Sequence, residues 1–308
     1  RRLGQEFLDY AINPFVSGVY AGDPAKLSTR YAFPKLYELE QEFGSLIKGA
    51  IKGAKTRKKR AETASKDARM FTFDDGMEVL PNQLAAKLGD VIQLSTPAES
   101  IQLLDAGVWM VNGEKFSDII LAVPAHAFSS FEAPLDLGIF SEIYYPPVAS
   151  ISLGFGRNDF THPLDGFGIL IPKIEKRFSL GALFPSSIFS ERAPGGMALL
   201  TVFAGGSQSP ECALMNEDEM ILKVLTDLRE LLGLTADPDF KHISIWPKAI
   251  PQYVVGYEKY LNRMKEIETQ FKGIHFAGHY RDGISVSNSI LSGIDVAERI
   301  AGATAEHR

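Results

Sequence analysis

Gly273-Ile-His-Phe-Ala-Gly-His-Tyr-Arg-Asp-Gly-Ile-Ser-Val-Ser-Asn-Ser-Ile-Leu-Ser-Gly-Ile-Asp-Val-Ala-Glu-Arg-Ile300 is the stretch whose reading decides the fold. Ile274–Ala277 is a short apolar run with the character of a buried strand. Gly278 and Gly283 bound a turn. From about Asn288 the apolar positions Ile290, Ile294, Ala297 and Ala301 fall at helical spacing, and Ser285 and Ser287 are both cap candidates. A helix begun this way aims unpaired backbone N–H groups and a positive dipole end at whatever lies before it. That suits an anionic ligand, or one that becomes anionic. A strand-turn-helix unit that only packs would show the same local pattern.

Outward from this stretch, the chain of 308 residues is long enough for about two domains. A hydrophobic share of 45% and a charged share of 23% are those of an ordinary globular chain, and no apolar run reaches the length of a membrane span. The single cysteine, Cys212, excludes an internal disulfide framework and suits a reducing cytoplasm. A formal net charge of -6 argues against broad nucleic-acid binding.

Taken in order, Leu3, Phe7, Leu8 and Ile12 predict a helix that stops before Pro14. Gly18, Gly22 and Asp23-Pro24 mark tight backbone, with Ser28 a cap for the helix that follows. Seven cations from Lys48 to Arg60 occur without an acidic residue among them, the pattern of a solvated loop or of a segment lying on an anionic membrane surface. Residues 61–69 read as a polar linker. Phe71 onward reads as strand, turn, then helix to Leu88. Val91–Leu94, Glu99–Leu104, Val108–Val111 and Phe116–Val123 read as short strands. Val148–Gly156, Gly166–Ile171, Ser179–Leu183 and Ala198–Phe203 predict a largely antiparallel sheet, and Asp218–Leu232 an amphipathic helix. A further helix is expected around Tyr257–Phe271.

Gly278-His-Tyr-Arg-Asp-Gly-Ile-Ser-Val-Ser, followed by Ser292-Gly-x-x-x-Ala297, resembles the C-terminal flavin signature of oxygen-dependent protoporphyrinogen oxidases, FAD enzymes of the flavin amine oxidase superfamily. Pro14-Phe-Val-Ser-Gly-Val-Tyr-Ala-Gly-Asp-Pro-Ala-Lys-Leu-Ser28 is similar to that family's helical-region motif. Phe71-Thr-Phe-Asp-Asp-Gly-Met and Trp246-Pro-Lys-Ala-Ile-Pro-Gln-Tyr253 are smaller matches, so the resemblance covers essentially the whole chain. Asp74-Asp75 stands where the family has Arg before the turn glycine.

The resemblance implies a mixed α+β and α/β fold with three parts. These are a helical region facing substrate or membrane over 1–69, a partial, discontinuous FAD-binding domain over 70–130 and 251–308, and an antiparallel-sheet substrate domain over 131–250. It implies that Gly18, Ala21, Leu170, Leu183 and Phe203 line the substrate pocket. It implies that Ala98, Ile245, Trp246, Gly278, Gly283, Ile284, Ser285 and Val286 contact FAD. No strand–GxGxxG–helix phosphate cradle occurs in the sequence, since Gly154-Phe-Gly156 lacks a third glycine. Arg1-Arg-Leu-Gly-Gln-Glu-Phe reads like the interior of a helix, so the resemblance places the cradle, and an arginine for a substrate propionate, upstream in a longer parent. The chain alone is then expected to be weak or inactive.

The activity implied is oxidation of protoporphyrinogen IX to protoporphyrin IX in haem biosynthesis. Six electrons leave in three hydride transfers to flavin N5, and oxygen yields hydrogen peroxide. No side chain is assigned a catalytic role, because the cofactor carries the redox chemistry. Coproporphyrinogen III is the near alternative substrate. Another flavin amine oxidase and a non-catalytic tetrapyrrole- or membrane-binding fragment stay open. The expected location is cytoplasmic or peripheral on a membrane, and a homodimer is an open partner. No metal site is expected: His275 and His279 are four apart, but on a strand and a turn, and no HExxH or cysteine cluster accompanies them. No GxSxG marks a hydrolase, and Cys212 lacks an activating context.

Overall fold

The computed structural model describes residues 4–45, 49 and 70–306. The basic run from Lys48 to Arg60 and the linker 61–69 lie outside them. Helices α1 (Asn13–Tyr20), α2 (Pro34–Phe43) and α3 (Val79–Leu88) come first. Strands β1 (Ile101–Leu103), β2 (Trp109–Val111), β3 (Glu114–Phe116) and β4 (Ile119–Leu121) follow. Then come β5 (Val148–Gly156), β6 (Gly168–Leu170), β7 (Ser179–Leu183) and β8 (Met197–Gly205). The chain closes with α4 (Glu217–Leu232), β9 (Phe240–Trp246), α5 (Glu258–Gln270), β10 (Ile274–Phe276) and α6 (Val286–Glu306). Among the described residues no helix is long and apolar enough to cross a membrane.

The chain divides into two compact units. One holds the described residues 4–27, 70–83 and 145–252, the other 28–45, 84–144 and 253–306. The N-terminal region therefore does not stay together: it divides after Leu27.

The first unit is built on a five-stranded antiparallel sheet of order β6-β7-β8-β5-β9. Strand alternation sends Ala149, Ile151, Leu153 and Phe155 of β5, with Leu200 and Val202 of β8, to one face. There they meet Met220, Val224, Leu225 and Leu228, which recur at helical spacing along α4. This is the core of the unit. Asn216 caps α4 by accepting the N–H groups of Asp218 and Glu219 at 3.0 and 3.4 Å, and Glu217, Asp218 and Glu219 complement the helix dipole. Asp227 is the polar exception on the buried side of α4. Its carboxylate accepts the Ser179 N–H at 2.8 Å, beside the irregularity in β7.

Pro14 does not end the first helix. A π-helical turn over Leu8–Ile12 runs into α1, and Asn13 N–H bonds to Leu8 O, five residues back. The looser turn lets the chain pass a residue that has no N–H to give, with Pro14 in the first turn of α1 where none is needed.

Two expected strands are absent among the described residues. Val91–Leu94 runs from the end of a 3₁₀ helix through irregular backbone into a turn, with Val91 75% and Leu94 83% exposed and no neighbouring strand to pair with. Residues 70–73 are irregular, because the Arg192 guanidinium, not a strand, binds the Phe73 carbonyl at 2.8 Å and the Thr72 hydroxyl. The expected strand Phe116–Val123 is two strands, β3 and β4, which belong to different sheets. Conversely, β9 is a strand that the sequence reading does not mark.

In the second unit β4 and β10 pair in parallel, Ile119 opposite Ile274 and Leu121 opposite Phe276, and β1-β2-β3 form an antiparallel sheet. Phe128, Phe140, Phe276 and Tyr280 pack as an aromatic cluster with centroids 5.4–5.9 Å apart. Trp109 is fully buried, and its indole N–H donates to Lys272 O at 2.8 Å.

Leu200→Ala removes a side chain wholly enclosed between sheet and α4. It is expected to lower the unfolding free energy by about 3 kcal/mol, read from urea denaturation. A loss under about 1 kcal/mol would mean that this face is not the core of the unit.

Candidate functional site

On the sheet face opposite α4 the cross-strand row Leu170, Gly181, Phe203, Ser150 and Ser244 is in register. Leu183 and Trp246 stand on the same face. Helix α1 lies over this face. Gly18 faces Leu170 Cδ2, which a Cβ at this position would push aside. A cavity of about 380 Å³ opens beside it, lined by Gly18, Ala21, Val148, Phe203, Trp246 and Ile250 among others. Of the residues expected to line the pocket, Gly18, Ala21 and Phe203 do so. Leu170 borders Gly18, and Leu183 shares the face without lining the cavity. Trp246 lines it too. Ile245 pairs with Ala149 and therefore points to the other face, so the two neighbours do not act on the same space.

The C-terminal end of α1 is pinned by polar contacts. Gln252 Nε2 donates to Tyr20 O at 2.9 Å and to Ile250 O at 3.1 Å, and Ser207 N–H donates to Ala21 O at 2.7 Å. Ala21 itself adopts φ 51°, the left-handed region that reverses the chain. Among the described residues, none lining this cavity is a carboxylate, an imidazole, a lysine or an arginine. The space can bind and exclude water, but it has no group of its own to move a proton.

In the second unit the turn from Gly278 to Gly283 joins β10 to α6, and side chains hold it on every side. The Gly278 N–H donates to Ser292 Oγ at 2.8 Å, and Ser292 donates in turn to Asp282. Tyr253 Oη donates to His279 O at 2.7 Å and accepts from Gly283 N–H at 3.0 Å. Tyr257 Oη donates to Tyr280 O at 2.6 Å, and Tyr280 Oη to Leu121 O. Arg281 donates to Phe276 O at 2.8 Å and to Glu268 through both terminal nitrogens, while Glu268 accepts Phe276 N–H at 3.0 Å.

The N–H groups of both glycines are thus consumed inside the protein and are not offered to a ligand. Gly283 is required by its φ of +118°, where a Cβ would also collide with the Asn288 amide. Ser285 is the cap: its Oγ accepts Asn288 N–H at 3.0 Å and its carbonyl accepts Ser289 N–H. Ser287 lies inside the helix. Among the described residues nothing accepts the N–H groups of Val286 and Ser287. The first turn of α6 carries no acidic side chain to satisfy its dipole.

Ala98 lies in an exposed loop of this unit. Asn112 clips that loop, donating to Pro97 O at 2.7 Å and accepting Glu99 N–H at 2.9 Å. Ala98's own N–H and C=O have no partner among the described residues. His275 and His279 do not converge: His275 Nε2 bonds to Asp118 at 3.0 Å, while His279 is on the turn. Burial and the nearby His126 hold His279 below the usual imidazole range. Burial, aided by Glu211, raises the Cys212 thiol, the opposite of what a nucleophile needs.

These features fit a flavin. Two first-turn N–H groups and an uncompensated helix dipole at α6, with free backbone at Ala98, suit the anionic parts of a dinucleotide. Sequence reasoning missed Asn112 and Glu268, which lie outside the quoted motifs, and gave no role to Gln252, Tyr253, Arg281 and Ser292, which lie inside them.

The model of the family described as flavin containing amine oxidoreductase matches residues 1–301. Protoporphyrinogen oxidase 2 of Arabidopsis thaliana is 32% identical over 97% of this chain and 65% of its own length. The coproporphyrinogen III oxidase of Bacillus subtilis is 25% identical over 95% of this chain and 64% of its own. A solved structure from Exiguobacterium sp. 255-15 superposes with a TM-score of 0.79 at 23% identity, covering 97% of this chain and 64% of that one. The chain therefore spans just under two thirds of the length of these relatives.

Burial would raise the Glu268 carboxyl, but its bonds from Arg281 and Phe276 N–H outweigh burial and hold it below the usual carboxylate range. Its folded value lies below its unfolded one. The pair therefore stabilises the fold above the unfolded carboxylate range, and that contribution is lost as pH falls through the lower folded value. Glu268→Gln is expected to cost about 1–3 kcal/mol at neutral pH. It should also flatten the fall in melting temperature below about pH 4.5. An unchanged acid limb in the variant would remove Glu268 from this role.

Proposed function

Because the chain belongs to the flavin-containing amine oxidoreductase family, we propose that it is the larger part of an enzyme that oxidises a porphyrinogen to a porphyrin. FAD is the cofactor and oxygen the electron acceptor. One observation supports this reading above the other family activities: a cavity over the sheet, walled by Phe203, Trp246 and Val148, whose lining among the described residues holds no titratable side chain. An amine substrate would call for a group that manages the charge of its nitrogen. A large, flat, mostly apolar ring needs shape and dryness.

FAD, when bound, supplies the two-electron redox chemistry, renewed by oxygen. The chain's own residues supply the rest. Phe203 and Trp246 offer apolar surface to a flat ring, and Gly18 lets α1 lie close on the sheet. The first turn of α6 would hold the cofactor's electron-rich edge, its dipole favouring negative charge there. Ala98's backbone would hold the adenosine half. Ile284 and Ser285 contribute by setting the start of α6.

Protoporphyrinogen IX is the favoured substrate. It carries two carboxylates where coproporphyrinogen III carries four, and among the described residues the cavity lining holds no cation to pair with them. The match to the coproporphyrinogen III oxidase keeps that substrate as the second reading. The relative from Arabidopsis is named for chloroplast and mitochondrion; the charge of the basic run near Lys55 supports a peripheral contact with an anionic membrane.

The test begins with FAD added to the purified chain and to the complete gene product that carries it, followed by desalting and an absorbance spectrum. Turnover of both porphyrinogens is then followed by porphyrin fluorescence. Porphyrin formation that depends on FAD and oxygen, faster with protoporphyrinogen IX, is expected. No turnover by the complete, FAD-loaded product would overturn the reading, and preference for coproporphyrinogen III would move it to the second substrate. Phe203→Ala and Trp246→Ala are each expected to raise KM about tenfold with less effect on kcat.

A further inference from the structure

We infer that Tyr253 is a positioning residue for the flavin, acting through Gly283 and the first turn of α6; the inference rests on the flavin reading above. A phenol has one proton to donate and lone pairs to accept with. Tyr253 uses both on the same turn, near its two ends: its O–H goes to His279 O at 2.7 Å, and it receives Gly283 N–H at 3.0 Å. The hydroxyl is therefore a bridge across the turn. The next residues after Gly283 are Ile284 and the cap Ser285, whose Oγ takes Asn288 N–H at 3.0 Å. Asn288 also fills the space that a Cβ on Gly283 would need. A displacement of Gly283 is thus passed to the cap, and from the cap to the N–H groups of Val286 and Ser287.

The ring of Tyr253 is anchored independently of its hydroxyl. It is buried, with the Tyr257 ring centroid 4.4 Å away. Phenylalanine keeps that packing and removes the bridge between His279 C=O and Gly283 N–H. A bridge that serves stability alone would change only the melting temperature. One that positions the helix start would also change what the helix does to a bound flavin.

The experiment compares the complete gene product as wild type, Tyr253→Phe and Tyr260→Phe, each prepared without cofactor and then loaded with FAD. Tyr260 is a buried tyrosine of α5 outside the turn. Three quantities are read: the melting temperature before loading, the FAD dissociation constant and the flavin midpoint potential. Tyr253→Phe is expected to weaken FAD about tenfold, the effect of one misplaced hydrogen-bonding group. It should also lower the midpoint potential, because the reduced flavin loses the favourable helix end. Tyr260→Phe should leave both at the wild-type value with a comparable change in melting temperature. Wild-type affinity and potential in Tyr253→Phe would overturn the inference. Absence of FAD binding by the wild-type protein would instead overturn the flavin reading, and the inference with it. If Tyr253→Phe does not fold, Ser285→Ala breaks the next link and must give the same loss of affinity; unchanged affinity there overturns the inference.

Discussion

The pairing of Arg281 with Glu268 holds together everything near the C-terminus. Glu268 sits on α5, Arg281 in the turn, Phe276 at the end of β10, and Arg299 on α6 lies 3.6 Å from the same carboxylate. One largely buried carboxylate thereby ties two helices, a strand and a turn. Such a pair gains little over apolar packing of the same volume, yet losing either member leaves a charge stranded. Its value here is geometric. With the strand end and the turn fixed, α6 can start in only one place, and its unpaired N–H groups face one direction.

Much of this was legible in the sequence because local signals agree with one another. Ile274–Phe276 is apolar, glycines bound the turn, and a serine precedes a helical period; the structure has β10, a left-handed Gly283 and Ser285 as the cap. The long strands β5 and β8 and the helix α4 were legible for the same reason, their alternation and period extending over nine or sixteen residues. Legibility fails where an element depends on its neighbour. Val91–Leu94 has strand composition but no partner among the described residues, while Ile119–Leu121 is a strand with β10 beside it. β9 was missed because Phe240-Lys-His-Ile-Ser-Ile-Trp mixes polar and apolar residues, as suits a sheet edge. Pro14 misled because a proline ends an α-helix only if the turn before it stays α-helical.

The candidate site divides along a similar line. Phe203 could be named from resemblance as a pocket residue and Ile245 and Trp246 as FAD contacts, but which of those two neighbours faces the cavity is a matter of strand register. The pairing of Ile245 with Ala149 turns it away. The signature glycines were named as cofactor contacts, and the structure gives each of them work inside the protein: their N–H groups go to Ser292 and Tyr253. A glycine in a ligand signature can record the shape of a turn, with the contact made by residues that follow it.

The dipeptide Gln252-Tyr253, where the chain passes from one unit to the other, shows how little sequence such shaping takes. Within the first unit Gln252 holds the end of α1, the helix that walls the cavity. Within the second unit Tyr253 bridges the turn before α6. Neither side chain needs to touch a ligand to matter. A cavity without a titratable group can contribute only by its shape, and a helix start can favour charge only where it is aimed. In a protein whose cofactor carries the redox chemistry, residues that fix those two geometries are where substitution should alter affinity and potential before it alters the fold.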